Sequence, residues 1–172
     1  MTHTASTDIS AWFAGRLPSE WTTAGAAEVI VDREEITVIV TIDAPSLDGL
    51  DEAGAAQAID GRTAGFRDDT RDRRITAAIE AEHRFERKVA WGVRIGDTTA
   101  LFTHLAVPVM TRLRQPERIV LDTLVASGVA RSRADALAWC VRLVGSNADE
   151  WLSSLRTAIT DVERIRAEGP TA

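Results

Sequence analysis

The sequence predicts an α+β protein: an N-terminal antiparallel sheet with a long helix, in the order ββαββ, then a helical dimerisation unit and a C-terminal amphipathic helix. Two observations predict this class. Apolar residues alternate in short runs on both sides of a long helical stretch, and beyond Pro116 the apolar spacing becomes that of helices. We divide the chain into an N-terminal segment with a short helix (1–27), a ββαββ domain (28–107), a dimerisation unit (108–145) and a C-terminal helix (146–172).

Composition limits the classes of protein to which the chain can belong. Of its 172 residues 45% are hydrophobic and 27% charged, as in ordinary globular proteins with a sizeable core. The one cysteine, Cys140, excludes a disulfide framework and a cysteine-based metal site. No apolar run approaches the roughly 20 residues of a membrane span, and the first residues lack the pattern of a signal peptide. We therefore expect a cytoplasmic protein with no membrane partner.

The N-terminal segment is predicted to start with a disordered stretch, residues 1–7, and to continue as a short helix over residues 8–17. Large apolar side chains follow one another here, at Trp12, Phe13, Leu17 and Trp21. We expect them to hold this segment against a core. The alternative is a peptide that binds a partner.

The ββαββ domain is predicted from two hairpins and the helical region between them. Valine and isoleucine dominate residues 28–42, which predicts the first hairpin, and residues 89–107 alternate around a Gly-Asp turn, which predicts the second. Residues 52–88 read as a long helix, broken near Gly61 or Gly65, whose mixed charges are typical of a solvated face. These elements predict an antiparallel sheet covered on one face by a helix.

The dimerisation unit begins with a short ribbon, residues 109–115, in which alternate residues share a face. Met110, Arg112 and Arg114 lie on one such face. Pro116 then favours the first turn of a helix, because its missing amide proton is not needed there. A Ser-Gly pair is predicted to end this helix after about three turns.

A second helix is predicted to start at Ser132, which forms a capping box with Asp135. The helix is apolar over most of its circumference, so it needs partners on several sides, which a second chain would provide. The expected dimer core comprises Leu113, Ile119, Leu124, Leu137, Cys140, Val141 and Val144. A last amphipathic helix is predicted from Asn147, which pairs with Glu150 as a cap, to Gly169-Pro170; it docks within the dimer or onto a protein partner.

The order strand, Pro-Glu, amphipathic helix and Ser-Gly-x-Ala-Arg-Ser-Arg-x-Asp-Ala-Leu, within residues 109–144, resembles the ribbon-helix-helix family of Arc-type repressors and antitoxins. The resemblance covers about a fifth of the chain. It implies that two chains pair their ribbons, that the four helices form one core, and that ribbon side chains contact base edges in the major groove of double-stranded DNA. The implied base-reading residues are Met110, Arg112 and Arg114, and the implied phosphate-binding residues are Arg131, Ser132 and Arg133.

Charge is unevenly distributed along the chain. Six arginines and three acidic residues lie between Leu105 and Arg142, whereas the whole chain has a net charge of −6. Local positive charge on an acidic protein permits specific DNA binding and disfavours nonspecific binding. The sequence thus favours a homodimeric DNA-binding transcriptional regulator with a sensing or partner-binding N-terminal domain.

The alternative is a protein-interaction or scaffold dimer that uses the ribbon-helix-helix core only for assembly, without binding DNA. We do not expect an enzyme, because the sequence has no phosphate-binding glycine loop, no paired histidine ligands and no nucleophile with a credible base. For the same reasons no cofactor and no metal are expected.

Overall fold

The computed structural model describes residues 3–168, and the chain divides into two compact units, Met1–Val107 and Pro108–Ala172. The predicted α+β class is confirmed. The first unit contains α1 (His3–Arg16), a 3₁₀ turn (Ser19–Trp21), β1 (Glu28–Val31), β2 (Glu35–Thr41), α2 (Glu52–Asp69), α3 (Arg71–Phe85), β3 (Lys88–Ile95) and β4 (Thr98–Leu101). The second unit contains α4 (Gln115–Ala126), α5 (Arg133–Asn147) and α6 (Asp149–Glu168).

The sheet of the first unit has the strand order β1-β2-β3-β4, and it is mixed rather than antiparallel. Two hairpins join β1 to β2 and β3 to β4, but β2 and β3 are parallel, from the pair Glu35–Lys88 to the pair Thr41–Arg94. The prediction of an entirely antiparallel sheet is therefore wrong. The physical reason is the connection: α2 and α3 lie between β2 and β3, and a crossover of that length returns the chain in the same direction.

The predicted long helix is two helices, and the predicted break near Gly61 or Gly65 is wrong, because both glycines lie within α2. The break is at Thr70, whose hydroxyl donates to the Phe66 carbonyl oxygen at 2.5 Å and accepts from Nε of Arg74 at 2.9 Å. A buried side chain that bonds to both helices fixes this corner. The second helix ends at Phe85, and Lys88, which was expected in the helix, begins β3.

Aromatic side chains organise the core between α1, the helices and the sheet. Trp91 on β3 meets Phe13 of α1 and Trp21 of the 3₁₀ turn edge to face, with ring centroids 6.1 and 6.2 Å apart. The expected role of the N-terminal segment in covering the core is confirmed. The predicted disorder of residues 3–7 is wrong, since α1 starts at His3, while Met1 and Thr2 lie outside the described residues.

The second hairpin is shorter than predicted. Strand β4 ends at Leu101, and residues 103–107 have no strand partner in the described part of the chain. Alternating apolar residues alone do not form a strand, because a strand also needs a neighbour to satisfy its backbone groups. Leu105 and Val107 remain substantially exposed.

Local signals in the sequence account for the end of α4 and the turn into α5. Gly128, at φ +78°, ends α4, and the amides of Val129 and Ala130 donate to the Leu124 carbonyl oxygen at 3.0 and 3.1 Å. A small cluster of Leu121, Ala130 and Ala136 is buried at the junction of α4 and α5. This cluster is too small to cover the apolar faces of three helices.

The last helix starts at Asp149 rather than at Asn147, so the predicted capping pair of Asn147 with Glu150 is wrong. Asn147 is instead the last residue of α5, where its side-chain amide donates to the Leu143 carbonyl oxygen at 2.8 Å. The predicted end at Gly169-Pro170 lies outside the described residues.

Candidate nucleic-acid interface

Residues 103–114, which precede α4, form neither helix nor strand, and the predicted ribbon lies in this segment. The ribbon prediction is not met within one chain, because no strand of the described residues pairs with this segment. Its side chains are nevertheless exposed, and Met110 reaches 98% exposure. A backbone without a strand partner can pair with another chain, and exposed apolar side chains are unfavourable in water, so the segment has the properties of a strand that lacks its partner.

The two ribbon arginines are available for a ligand. Arg112 and Arg114 are exposed, and neither guanidinium forms an ion pair with a residue in the described range 3–168. The segment is held onto α4 from its other side: Leu113 packs against the buried cluster, and Nη1 of Arg118 donates to the Leu113 carbonyl oxygen at 2.8 Å. The arrangement fixes the backbone and leaves both arginines free.

The N-terminus of α5 contains the three residues predicted to bind phosphate. Ser132 caps the helix by accepting from the Asp135 amide at 3.2 Å, as the capping box predicts. The Asp135 carboxylate accepts in turn from the Arg131 amide at 3.0 Å. The predicted helix start is confirmed. Nε of Arg131 lies 3.8 Å from the same Asp135 carboxylate, and 97% of the Arg131 side chain is exposed.

Arg133, the third predicted phosphate ligand, is engaged with an acidic residue on α4. Its Nε and Nη2 donate to the two carboxylate oxygens of Asp122 at 2.6 and 2.7 Å. The hydrogen bond from Arg133 holds the pKa of Asp122 below its usual value and raises the pKa of Arg133. Arg133 can reach a phosphate only after exchanging this partner.

The predicted dimer-core residues fall into two groups. Four of them pack around the buried cluster within one chain, and the other three are more than half exposed. The packed residues are Leu113, Leu124, Leu137 and Cys140, and the exposed residues are Ile119, Val141 and Val144. An apolar face with exposures of 56%, 65% and 54% at these three positions is incompletely buried by one chain.

Sequence reasoning missed two features of this unit. Leu121 is the most buried large side chain of α4, but the predicted dimer core does not include it and includes its exposed neighbour Ile119. The pairing of Asp122 with Arg133 was also missed, because the two residues are eleven positions apart. The available signal was a lone acidic residue in the middle of α4, but only the packing of α4 on α5 selects its partner.

A second candidate site is a cleft of about 660 Å³ in the first unit, between α2, α3 and the segment that follows β4. Arg67, Arg71 and Arg74 line it, and no carboxylate of the described residues forms an ion pair with any of them. Arg74 is buried, with its guanidinium carbon 4.8 Å from the Phe102 ring centroid. Burial, together with the positive charges of Arg67 and Arg71, lowers the pKa of Arg74. Asp60 and Asp68 also line the cleft, so the five charged side chains carry a net charge of one positive, which favours a small anion.

Two kinds of feature are absent from residues 3–168. None of the helices there is long and apolar enough to cross a membrane. Those residues also contain no group of three or more histidine, cysteine, aspartate or glutamate side chains placed to hold a metal ion.

The fold and these sites define a two-unit α+β protein, with a four-stranded sheet unit followed by a unit of three helices. The chain belongs to the Rv1265-like family: residues 7–101 match the N-terminal domain of Rv1265-like proteins, and residues 114–166 match the Mb1296 C-terminal domain. Met110 and Arg112 lie between the two matched regions, and Arg114 begins the second.

The relatives that match along most of the chain include the uncharacterized protein Mb1296 of Mycobacterium bovis and the uncharacterized protein Rv1265 of Mycobacterium tuberculosis. Each is 60% identical over 159 residues, which cover 92% of this chain and 69% of the relative. No solved structure matches the chain.

Proposed function

We propose that this chain is a homodimeric, DNA-binding transcriptional regulator of the ribbon-helix-helix type, with an N-terminal unit that senses a ligand or binds a partner. One observation carries the proposal. A segment without helix or strand lies directly before two helices whose apolar faces one chain leaves exposed, and its two arginines form no ion pair within the described residues. A second copy would supply a strand for the segment and an apolar surface for the helices.

In the proposed dimer, the two extended segments pair as an antiparallel ribbon. Arg112 and Arg114 share one face of that ribbon with Met110, and each arginine can donate two hydrogen bonds to a guanine. Leu113 points to the other face, toward the helical core. This alternation is what a ribbon needs in order to contact DNA on one face and the protein core on the other.

The phosphate-binding role is assigned to the start of α5. A helix N-terminus attracts anions, and the exposed Arg131 adds a positive charge there. Arg133 joins the site when a phosphate replaces the Asp122 carboxylate as its partner. The ion pair with Asp122 is lost in this exchange, so a phosphate that contacts the site only weakly does not displace the carboxylate.

The sensing role is assigned to the arginine-lined cleft of the first unit, and its proposed ligand is a small anion. The proposal includes no enzymatic reaction, cofactor or metal, and it places the protein in the cytoplasm. Whether a cleft ligand raises or lowers DNA affinity is an outcome of measurement.

The direct test begins with the purified full chain and fragmented genomic DNA, with salt varied and the mass in solution measured. A dimer that retains selected fragments, and retains them less at higher salt, supports the proposal and supplies its binding site. A monomeric chain, or a dimer that retains nothing, contradicts it.

The variant that tests the base-reading residues is Arg112→Ala with Arg114→Ala. We expect affinity for the selected duplex to fall by at least about tenfold, because each bidentate contact to guanine contributes roughly 1–3 kcal/mol. The mass of the dimer should not change. The matched control is Arg33→Ala with Arg62→Ala, which removes the same charge from exposed positions of the first unit. Equal losses in the two double variants, or dissociation of the Arg112 and Arg114 variant, would overturn the assignment.

A second candidate function is a protein-interaction or scaffold dimer that uses the same helical core only for assembly. The pairing of Arg133 with Asp122 and the net charge of −6 favour it, because both reduce the attraction of the protein to DNA. The discriminating result is a stable dimer without retained DNA, in which the Arg112 and Arg114 variant behaves as the unmodified chain does.

A further inference from the structure

Helix α6 presents an apolar stripe that the second unit does not cover. None of its described residues is buried, and five large apolar side chains are at least 41% exposed: Trp151, Leu155, Ile159, Val162 and Ile165. A helix of 20 residues gains little stability from its backbone alone, so it requires packing of such a stripe. The stripe therefore indicates an interface.

The spacing of this stripe identifies the kind of partner. Trp151, Leu155, Ala158, Val162 and Ile165 are separated alternately by four and three residues, which is the pattern of heptad positions d, a, d, a and d. That pattern is typical of a narrow coiled-coil seam between two helices of similar length. Leu152 and Ile159 occupy the flanking e positions and widen the seam.

Charges beside the seam distinguish the two orientations of a helix pair. Asp161 and Glu168 occupy g positions, and Arg166 occupies an e position. In a parallel pair each g residue faces the e residue five positions further along the other helix, so Asp161 meets Arg166 of the second copy on both sides. In an antiparallel pair centred on Ala158 the g positions face each other, so Asp161 would face Ser154 and its attraction to Arg166 would be lost. Charge complementarity therefore favours the parallel pair.

We propose that α6 pairs with α6 of a second copy of this chain as a short parallel coiled coil. The inference rests on the homodimer of the proposed function, but not on DNA binding. Within the described residues Arg166 forms no ion pair, and Asp161 has only Nη2 of Arg164 at 3.8 Å, so both are available across the seam.

The first test uses disulfide cross-linking in the full chain to determine whether the two copies of α6 are parallel or antiparallel. In a Cys140→Ser background, Ile165→Cys places a thiol at a d position, where a parallel pair brings the two thiols together. In an antiparallel pair centred on Ala158, Ile165 faces Trp151, which leaves the two thiols about 21 Å apart at ~1.5 Å per residue. Thr160→Cys, on the outer f position, is the matched control. We expect mild oxidation to cross-link most of the Ile165→Cys chains and few of the Thr160→Cys chains.

The second test reverses the charges. Asp161→Arg alone is expected to weaken self-association by roughly tenfold, since it replaces two exposed attractions with two repulsions. Asp161→Arg with Arg166→Asp is expected to restore it. An antiparallel pair, or a different protein bound to α6, predicts no weakening of self-association by the single change and no rescue by the second.

The outcomes separate this inference from the proposed function. A dimer whose Ile165→Cys chains do not cross-link overturns the coiled coil and leaves the ribbon-helix-helix dimer standing. A chain that is monomeric at all concentrations contradicts both. Cross-linking through Ile165→Cys, without DNA retention, supports the coiled coil and contradicts DNA binding.

Discussion

The guanidinium of Arg133 on α5 and the carboxylate of Asp122 on α4 form two parallel hydrogen bonds, of 2.6 and 2.7 Å. Both side chains are more than half exposed, so the pair is screened by solvent and contributes little to stability. In the proposed DNA complex its effect would be larger, because the pair occupies the arginine assigned to a DNA phosphate and places a negative charge beside that site. Asp122 would then compete with the phosphate for Arg133.

Replacement of this competitor should strengthen DNA binding. Asp122→Asn frees Arg133 and removes one negative charge, so we expect affinity for duplex DNA to rise by roughly threefold to tenfold. The salt dependence of DNA affinity should also become steeper, because one additional phosphate is contacted. Glu117→Gln is the control, because it removes the same charge from α4 at a residue without an ion pair among the described residues. Equal gains in both variants would attribute the effect to net charge alone.

The ion pair of Asp122 with Arg133 also predicts the direction in which folding stability changes with pH. Hydrogen bonding to Arg133 lowers the pKa of Asp122 in the folded chain, so the ionised carboxylate favours folding above the ordinary pKa of aspartate, about 3.9. The contribution is lost as pH falls through the lowered pKa. Unfolding by urea should therefore show a small stability difference between the unmodified chain and Asp122→Asn at pH 7, and that difference should disappear near pH 2. A difference that grows on acidification would contradict the sign.

An exposed apolar residue tests whether one chain or two complete the helical core. Val141→Lys should change little if Val141 faces water, as its 65% exposure in one chain implies, but it should dissociate a dimer whose core contains Val141. We expect self-association to weaken by at least about a hundredfold, since two charges would enter one interface. Ile79→Lys, at 64% exposure on α3, is the matched control and should leave the mass in sedimentation unchanged. A Val141→Lys chain that remains dimeric would show that Val141 is not part of the dimer core.

The arginine cleft predicts stabilisation by a small anion. Sulfate should raise the midpoint of thermal unfolding more than chloride does at equal ionic strength, because an anion bound only by the folded chain shifts the equilibrium toward it. Arg71→Ala should reduce this difference, since Arg71 lines the cleft and forms no ion pair in the described range. Arg33→Ala, at an exposed position outside the cleft, should retain it. An equal response in both variants would contradict a site in the cleft.

The sequence by itself determined the local features of this protein. Ser132 and Asp135 predicted the start of α5, and Pro116 and Gly128 the limits of α4, because caps and turns depend on residues within about four positions of each other. Alternating apolar residues likewise predicted the strands of both hairpins.

Only the tertiary structure decided which of these elements meet. The parallel pairing of β2 with β3, the burial of Arg74 and the pairing of Asp122 with Arg133 depend on where a crossover or a helix packing brings distant residues. The spacing of residues along the chain does not indicate which distant residues come into contact. The exposure of Val141 is a similar case: periodicity predicted an apolar face, but only the packed chain showed that the face remains uncovered, because burial depends on all the neighbours together.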